Sequence, residues 1–454
     1  MPAILYGKGA YRRDNGNLPE LKLVNMFLEQ APTAEAGVTL LSRQGLAIAE
    51  AHGNGPIHAL FAASGVFGQD LFTLSGSFLY RGASVAGGVA GTGPASIAAS
   101  PSSLLIARGA APHRYDGTAV AAEAFPDGAG VTAVAFLAEY FIAIRAGSHR
   151  FYWRRFDVPT WDALDYASAE SARDDLLDVK VIQDGLWLIG AETVEFWAIT
   201  GNAETPFTRV ESRLYRKGVI KTGCAAEVDN TLFWWGNDNS IYRGTEVPQK
   251  ISDSGIDERL ARSTVIREAF AFNSEGHSFF CVRTDEGTFA FDASTSSWCE
   301  FGSFGRTNWR VRNVAVAIAG LVFGDDINGT VWRFGGWDDG STLERRMTSA
   351  FPLTGGSATV NNMLVTANVG QVPDLAMAPG MEVRSSRDGG QTWGEWRAAN
   401  LGRQGEYRSR TIWRRMGMFD PPGAMFDHRV TDPVPLRVSG VAVNEALGGR
   451  ARGA

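Results

Sequence analysis

LWLIGAETVEFWAI, beginning at Leu186, and LFWWGNDNSIYRG, beginning at Leu232, follow one pattern. Each opens on an apolar run, turns on Gly, Ala, Asn or Asp, and resumes with an aromatic beside a polar or charged residue. The pattern returns in LFTLSGSFLYRG from Leu71, LLIARGAAPHRYDG from Leu104 and FIAIRAGSHRFYWRR from Phe141. Two further copies are FFCVRTDEGTFAFD from Phe279 and LVFGDDINGTVWRF from Leu321. The starts are separated by 33, 37, 45, 46, 47 and 42 residues. A hairpin that recurs about every forty residues is the signature of a β-propeller. The repeats predict an all-β chain with about seven blades; six remain open because the first or second copy could be incomplete. A propeller carries its function on loops, channel and outer faces, so no single catalytic triad is implied.

The surrounding segments follow from this repeat. Residues 1–55 lie outside it. LKLVNMFLEQAP, from Leu21, reads as a strand or a short helix. GVTLLSRQGLAIAE, from Gly37, reads as strand, turn and strand, and 37–50 is expected to complete the last blade, because an open ring would leave an unpaired edge. Residues 83–100, almost all small, read as a loop between the first two blades. SDSGIDERLAR, 252–262, predicts one helix capped by Ser252 or Ser254, with Asp257 and Glu258 near its start. The propeller is assigned to 56–342. From 343 to 446 the rhythm changes to longer alternating segments, about six strands with the texture of a β-sandwich. Residues 447–454 are expected to be a disordered tail.

Bulk properties narrow the function classes. The chain has 454 residues, 44% of them hydrophobic, and 53 glycines. That is a folded, turn-rich protein large enough for more than one domain. The net charge of −6 argues against a free-standing nucleic-acid binder but not against a protein that nucleic acid slides past. Cys224, Cys281 and Cys299 show no C-x-x-C spacing and predict no disulfide framework. The first residues lack the apolar stretch of a signal peptide, and no apolar run is long enough to cross a membrane. Synthesis in a cytoplasm is expected.

Chemical motifs are sparse. Ser386, Asp388, Gly390, Thr392 and Trp393 form an Asp box, S-x-D-x-G-x-T-W. Its aspartate is expected to bind backbone N–H groups within a tight turn, its glycines to supply positive φ, and its Trp to pack under the hairpin. Asp boxes also decorate sialidases, which keeps a glycan-binding or glycan-hydrolysing propeller as the alternative reading. Hydrolysis would need two carboxylates facing across a cleft. Asp325 with Asp326, and Asp338 with Asp339, are adjacent on turns and read as turn-forming. The six histidines show no metal-ligand spacing, and the glycine-rich 88–93 stretch lacks the Lys-Ser/Thr of a phosphate loop. No metal, cofactor or catalytic residue is expected. Arg403, Arg408, Arg410, Arg414 and Arg415 cluster around Tyr407 and Trp413. They read as the solvated face of a strand with Ile412 pointing inward, or as a subunit interface rich in Arg and aromatics.

Four motifs in order resemble a known family: Val89–Gly93 followed by Arg114–Gly117; Phe196-Trp197 followed by Thr200–Ala203; Lys217–Ile220 with Cys224 beyond; and Ile256–Arg259 leading to Phe291–Thr295 and Trp298-Cys299. Together, over roughly 20–440, they resemble the packaged-DNA stabilisation proteins of short-tailed phages, also called tail accessory factors, tail hubs or nozzle components. The Asp box and the Ala/Gly-rich stretches differ from the enterobacterial members. The resemblance implies a non-enzymatic virion protein of the tail. Its copies would form a ring, six-fold in this family, below the portal and its adaptor. Such a ring would continue the channel for double-stranded DNA, retain the packaged genome, and hold a distal plug or needle, with tail fibres as a further expected partner.

Overall fold

The computed structural model describes residues 5–6, 9–10, 21–31, 37–53, 55–169, 174–245, 247–353, 355–373 and 375–444. The seven hairpins are the middle two strands of seven four-stranded antiparallel units. Six units occupy 57–88, 96–122, 131–168, 176–215, 225–250 and 266–301, and the seventh combines 311–335 with Gly45–Ala51. Their innermost strands touch in cyclic order, the last against the first, so the units are the blades of a closed seven-bladed propeller.

The middle strands are the legible ones because neighbouring blades cover both of their faces. All eight residues of His277–Thr284 and all six of Gly185–Gly190 are buried, and such strands read as continuous apolar runs. Strands at the axis and the rim obey other constraints. Residues 83–100, expected as a loop, contain Ser84–Gly88 at the rim of the first blade and Ser96–Ala99 at the axis of the second. Near the axis blades converge and small side chains fit the taper. At the rim, exposure removes the apolar signal.

Gly45–Ala51 closes the ring by pairing antiparallel with Thr330–Gly335, Leu46 opposite Phe334 and Ala47 opposite Arg333. The other strand of the 37–50 stretch does not share this role. Val38–Ser42 pairs with Met26–Gln30 and with Arg437–Val443, in the C-terminal sandwich. Both are short, mainly apolar strands, and nothing local says which sheet, hundreds of residues away, each will join.

The sandwich has two sheets. One contains Met26–Gln30, Val38–Ser42, Arg437–Val443, Ala358–Ala367 and Thr411–Phe419. The other contains Leu23–Val24, Arg345–Pro352, Gly423–Val430, Gly380–Ser386 and Arg397–Asn400. Leu40, Val360, Met363, Val383, Phe419, Phe426 and Val438 fill the space between them. Leu23–Val24 also pairs with the sixth blade, Val24 beside Glu300, so one sheet runs from the propeller into the sandwich.

The helix is present as Ser254–Arg262, but its cap is neither Ser252 nor Ser254. Asp253 accepts from the N–H groups of Gly255 and Ile256, while the Ser252 hydroxyl donates to Asp257. An aspartate meets both orphan donors of the first turn. The 447–454 tail lies outside the described residues.

At the junction sits a buried polar knot. Asn25, at φ 55°, donates to the carbonyls of Gly302 (3.0 Å) and Glu344 (2.7 Å). Its Oδ1 accepts from Arg43 Nε at 2.7 Å and Gly302 N at 2.9 Å. Arg43 also donates to the carbonyls of Gln44 and Gly302, meets Asp338 at 3.5 Å, and stacks over Trp309. One guanidinium thereby joins the sixth blade, the turn after the seventh, the closing strand and the start of the sandwich. Arg43→Ala removes the donor to Asp338 and to the Gln44 carbonyl and leaves Asn25 as the donor to Gly302, and we expect about 3–5 kcal/mol of destabilisation. Arg408→Ala, on an exposed loop, should stay within about 0.5 kcal/mol. Urea unfolding of the two variants beside the parent measures the contrast.

Candidate functional site

The Asp box lies between Gly380–Ser386 and Arg397–Asn400 on the outer sheet of the sandwich. Asp388 accepts from Thr392 N at 2.9 and 3.0 Å and from the hydroxyls of Thr392 and Ser386. The Thr392 hydroxyl, then its N–H, then Ser386 hold this carboxyl well below the usual carboxylate range. Ser386 Oγ accepts from Gly390 N, and Gly389 and Gly390 sit at φ 74° and 100°. The box is satisfied within itself. It aims the following loop across the sheet, where Trp393 stacks on Arg384, and Trp396 on Arg384, Arg346 and Arg429. Asp427, fully buried, accepts from both Arg346 and Arg384, and Glu382 from Arg429. This face is a sealed lattice of stacked, paired arginines.

The second arginine group is different. Thr411–Phe419 is the edge strand of the other sheet. Arg403, Arg408, Arg410, Arg414 and Arg415 are exposed, and none forms a side-chain ion pair among the described residues. The inward residues are not those the alternation predicted. Thr411 and Trp413 point into the core, Trp413 donating to the Arg397 carbonyl at 2.7 Å, while Ile412 is half-exposed. Arg415, at φ 55°, forms a bulge opposite the 360–362 stretch, which turns Met416 inward. Trp413 is thus a core residue, and the surface belongs to the arginines and Tyr407. A bulge with charges is how an edge strand avoids indiscriminate pairing.

None of the carboxylates weighed for hydrolysis is available as a pair. Asp325 is buried and accepts from Ile327 N, Asn328 N, Trp332 Nε1 and Arg310. Asp326 binds Arg283 and Arg306; Asp338 faces Arg43; Asp339 pairs with Arg310. Among the described residues no group of three or more His, Cys, Asp or Glu could hold a metal. The cysteines are free and buried. Burial pushes the Cys224 thiol above its ordinary range, and no nucleophile is poised there.

The propeller axis carries what sequence reasoning missed. Two cavities of about 230 and 240 Å³ share His58 and Pro94 at its mouth. Lys221, Arg267, Arg283 and Arg312 line the second beside Glu268 and Asp326. No tyrosine is among its lining residues, so the Tyr/Glu pair of a sialidase-like centre is not assembled there. These residues come from several blades and share no local motif; only the ring brings them together.

Comparison with known proteins bears on the whole chain. The family description "Bacteriophage P22 Gp10, beta-propeller" matches residues 3–334, and "Bacteriophage P22 Gp10, beta-sandwich" matches 344–445. The "Tail hub protein gp10" of Salmonella phage P22 is 23% identical over 263 residues, 50% of this chain and 54% of that protein. The match therefore spans about half the length of that curated relative. Among solved structures, BamB from Moraxella catarrhalis aligns at 12% identity and a TM-score of 0.36, over 65% of this chain and 98% of its own. The Swd1 β-propeller domain of Myceliophteria thermophila aligns at 12% identity and 0.41, over 64% of this chain and 100% of its own. Scores this low carry no argument about function.

Buried His428 gives the sandwich a pH signature. It meets the Ser349 hydroxyl at 2.9 Å and lies beside Trp413. Burial pushes its pKa down to about 4, against an opposing pull from Asp427. With a folded pKa below the unfolded 6.5, its stabilising contribution is complete above pH 6.5. It is lost as pH falls toward about 4, since the unfolded chain takes the proton first. Urea unfolding between pH 7 and 4.5 should show that loss, and His428→Gln should flatten it relative to the parent.

Proposed function

The chain belongs to the bacteriophage P22 Gp10 family, and from that premise we propose that it is a tail hub, a non-enzymatic structural protein of a phage tail. The observation that carries this reading is the match of two consecutive family descriptions to 3–334 and 344–445, in the order in which the chain builds its propeller and sandwich. Copies would form a ring, with six as the expected number, below the portal and its adaptor. The ring would continue the DNA channel, retain the packaged genome and seat a distal plug or needle.

A collar under the pressure of a packed genome must hold its shape. Two features support that role: the ring closure by Gly45–Ala51, and the sheet shared by the sixth blade and the sandwich. Ring contacts between identical copies are heterologous and close only at the right rotation. A fixed angle between the two domains helps to set that rotation. The unpaired cations around Arg408, Arg410 and Arg414 suit such a contact, since Arg is enriched at interfaces.

Electron microscopy of the purified protein, alone and with its adaptor–portal complex, tests the reading. A six-fold ring capping the adaptor is expected. A chain that stays monomeric and ignores the adaptor overturns it. If the edge arginines carry the contact, Arg408→Glu with Arg410→Glu should abolish the ring while leaving the monomer's circular dichroism unchanged. An intact ring in that double variant moves the contact elsewhere.

A further inference from the structure

The mouth of the propeller axis gathers charged residues from several blades. Most of its lining residues lie at the starts of innermost strands or on the connections leading into them, while Arg283 and Asp326 come from the ends of the neighbouring second strands of the sixth and seventh blades. His58 begins the first blade, 92–94 lead into the second, Lys221 leads into the fifth, Ile266–Glu268 begin the sixth and Arg312 begins the seventh. All five approach from the same end of the ring. Across the mouth, the neighbouring cavity is balanced, with Lys180 paired to Asp178 at 3.1 Å.

On the side of the fifth to seventh blades the balance fails. Glu268 is shared by Arg283 at 2.5 Å and Arg312 at 3.0 Å. Asp326 is shared by Arg283 at 2.7 Å and Arg306 at 2.5 Å. Both carboxylates are thereby committed. Arg267, half-buried, has no hydrogen-bond or ion-pair partner among the described residues. Among the described residues, Lys221 donates only to the Ile266 carbonyl, at 3.1 Å, and meets no carboxylate, and buried Arg108 donates to the Gly76 carbonyl alone. The field shows on His58: burial, then Arg108 and Arg312, push its pKa down to about 4. A cavity with four cations against two carboxylates, in a chain of net charge −6, is short of negative charge.

We propose that this mouth is an oxyanion-binding site, in which Arg267 and Lys221 receive a phosphate or carboxylate group and Arg283 and Arg312 complete its wall. About 240 Å³ is room for a few waters or one compact oxyanion group, and far too little for a DNA duplex. Guanidinium groups bind such oxygens through paired N–H donors, and an ammonium adds a point charge. The ligand could reach the site free in solution or on an acidic segment of a binding partner. The site does not depend on the ring assembly, because every contributing residue belongs to one chain.

The test uses the purified full chain. Inorganic phosphate and a hexaglutamate peptide are titrated separately by calorimetry and by thermal shift, against sodium chloride at matched ionic strength. Saturable binding of either, absent with chloride, is expected; phosphate alone assigns a free-anion site, and the peptide assigns a docking site for an acidic segment. Arg267→Gln and Lys221→Gln should each weaken binding about ten-fold, with Arg267→Lys restoring part of it. Neither residue holds a structural ion pair, so the ligand-free unfolding midpoint should not move, which separates lost binding from lost fold. No saturable binding of either probe, or undiminished binding in the Arg267→Gln, Lys221→Gln double variant, overturns the proposal.

Discussion

Everything in this architecture depends on the path of the chain between Leu23 and Ala51. Within that stretch it bridges the sixth blade to the sandwich, supplies two sandwich strands, and then closes the propeller. Such a path is sound only where it turns from one domain to the other. Asn25 and Arg43 stand at those turns and hydrogen-bond to each other. A buried guanidinium is expensive to desolvate, and burial lowers the Arg43 pKa although Asp338 opposes it. The compensation is geometric: five donors in a rigid plane can be satisfied only by carbonyls and a carboxylate placed around them. The knot therefore selects one relative placement of the two domains over every near neighbour.

That placement is mechanical in consequence. A linker would let propeller and sandwich swing, as inter-domain interfaces of ordinary size usually permit. Here the hydrogen-bonded ladder continues across the boundary through Leu23–Val24. Bending at the boundary would break backbone pairs and expose the apolar cluster that Phe272, Phe301, Trp309 and Phe323 form with the sandwich core. A subunit built this way transmits load from one domain to the other. That is the property a collar needs, and a property that a freely diffusing binding module does not.

Legibility in the sequence followed burial. Strands covered on both faces, such as Phe141–Arg145 or Leu232–Trp235, announce themselves as apolar runs, so the repeat, the blade order and the all-β class were readable. Ser84–Gly88 was missed because exposure at the rim removes the apolar signal, and Ser96–Ala99 because the taper at the axis favours small residues, which look like loop. Val38–Ser42 was placed in the propeller because alternation reports that a strand exists and not which partner it finds. The Asp box was visible as a motif because its hydrogen bonds run between neighbouring residues, while the Arg384 that Trp393 stacks on could not be named from the turn alone. Trp413 was misplaced because the inward position was given to aliphatic Ile412, whereas Thr411 and Trp413 share the buried face and the bulge at Arg415 resets the alternation only beyond them. The axial cations left no trace in the sequence at all. Each is an ordinary arginine or lysine on its own strand, and only closure of the ring makes them neighbours.

The contrast between the acidic chain and its basic mouth has a physical logic of its own. Net negative charge disfavours adhesion of a polyanion such as duplex DNA to the surface that carries it. Screening limits that effect to about 8–10 Å in physiological salt. At the axial cavity the balance is set instead by groups a few ångströms apart, where half-buried Arg267 and exposed Lys221 lack a counter-charge among the described residues. The two scales do not conflict. Repulsion at a distance excludes the long polymer, while attraction at contact admits only what fits the cavity. A single chain can thus be indifferent to DNA as a whole and selective for one small anionic group, provided its cations are gathered where a duplex cannot follow. The propeller provides that place: strands from separate blades bring the cations to one point, and the surrounding blades keep larger polyanions out.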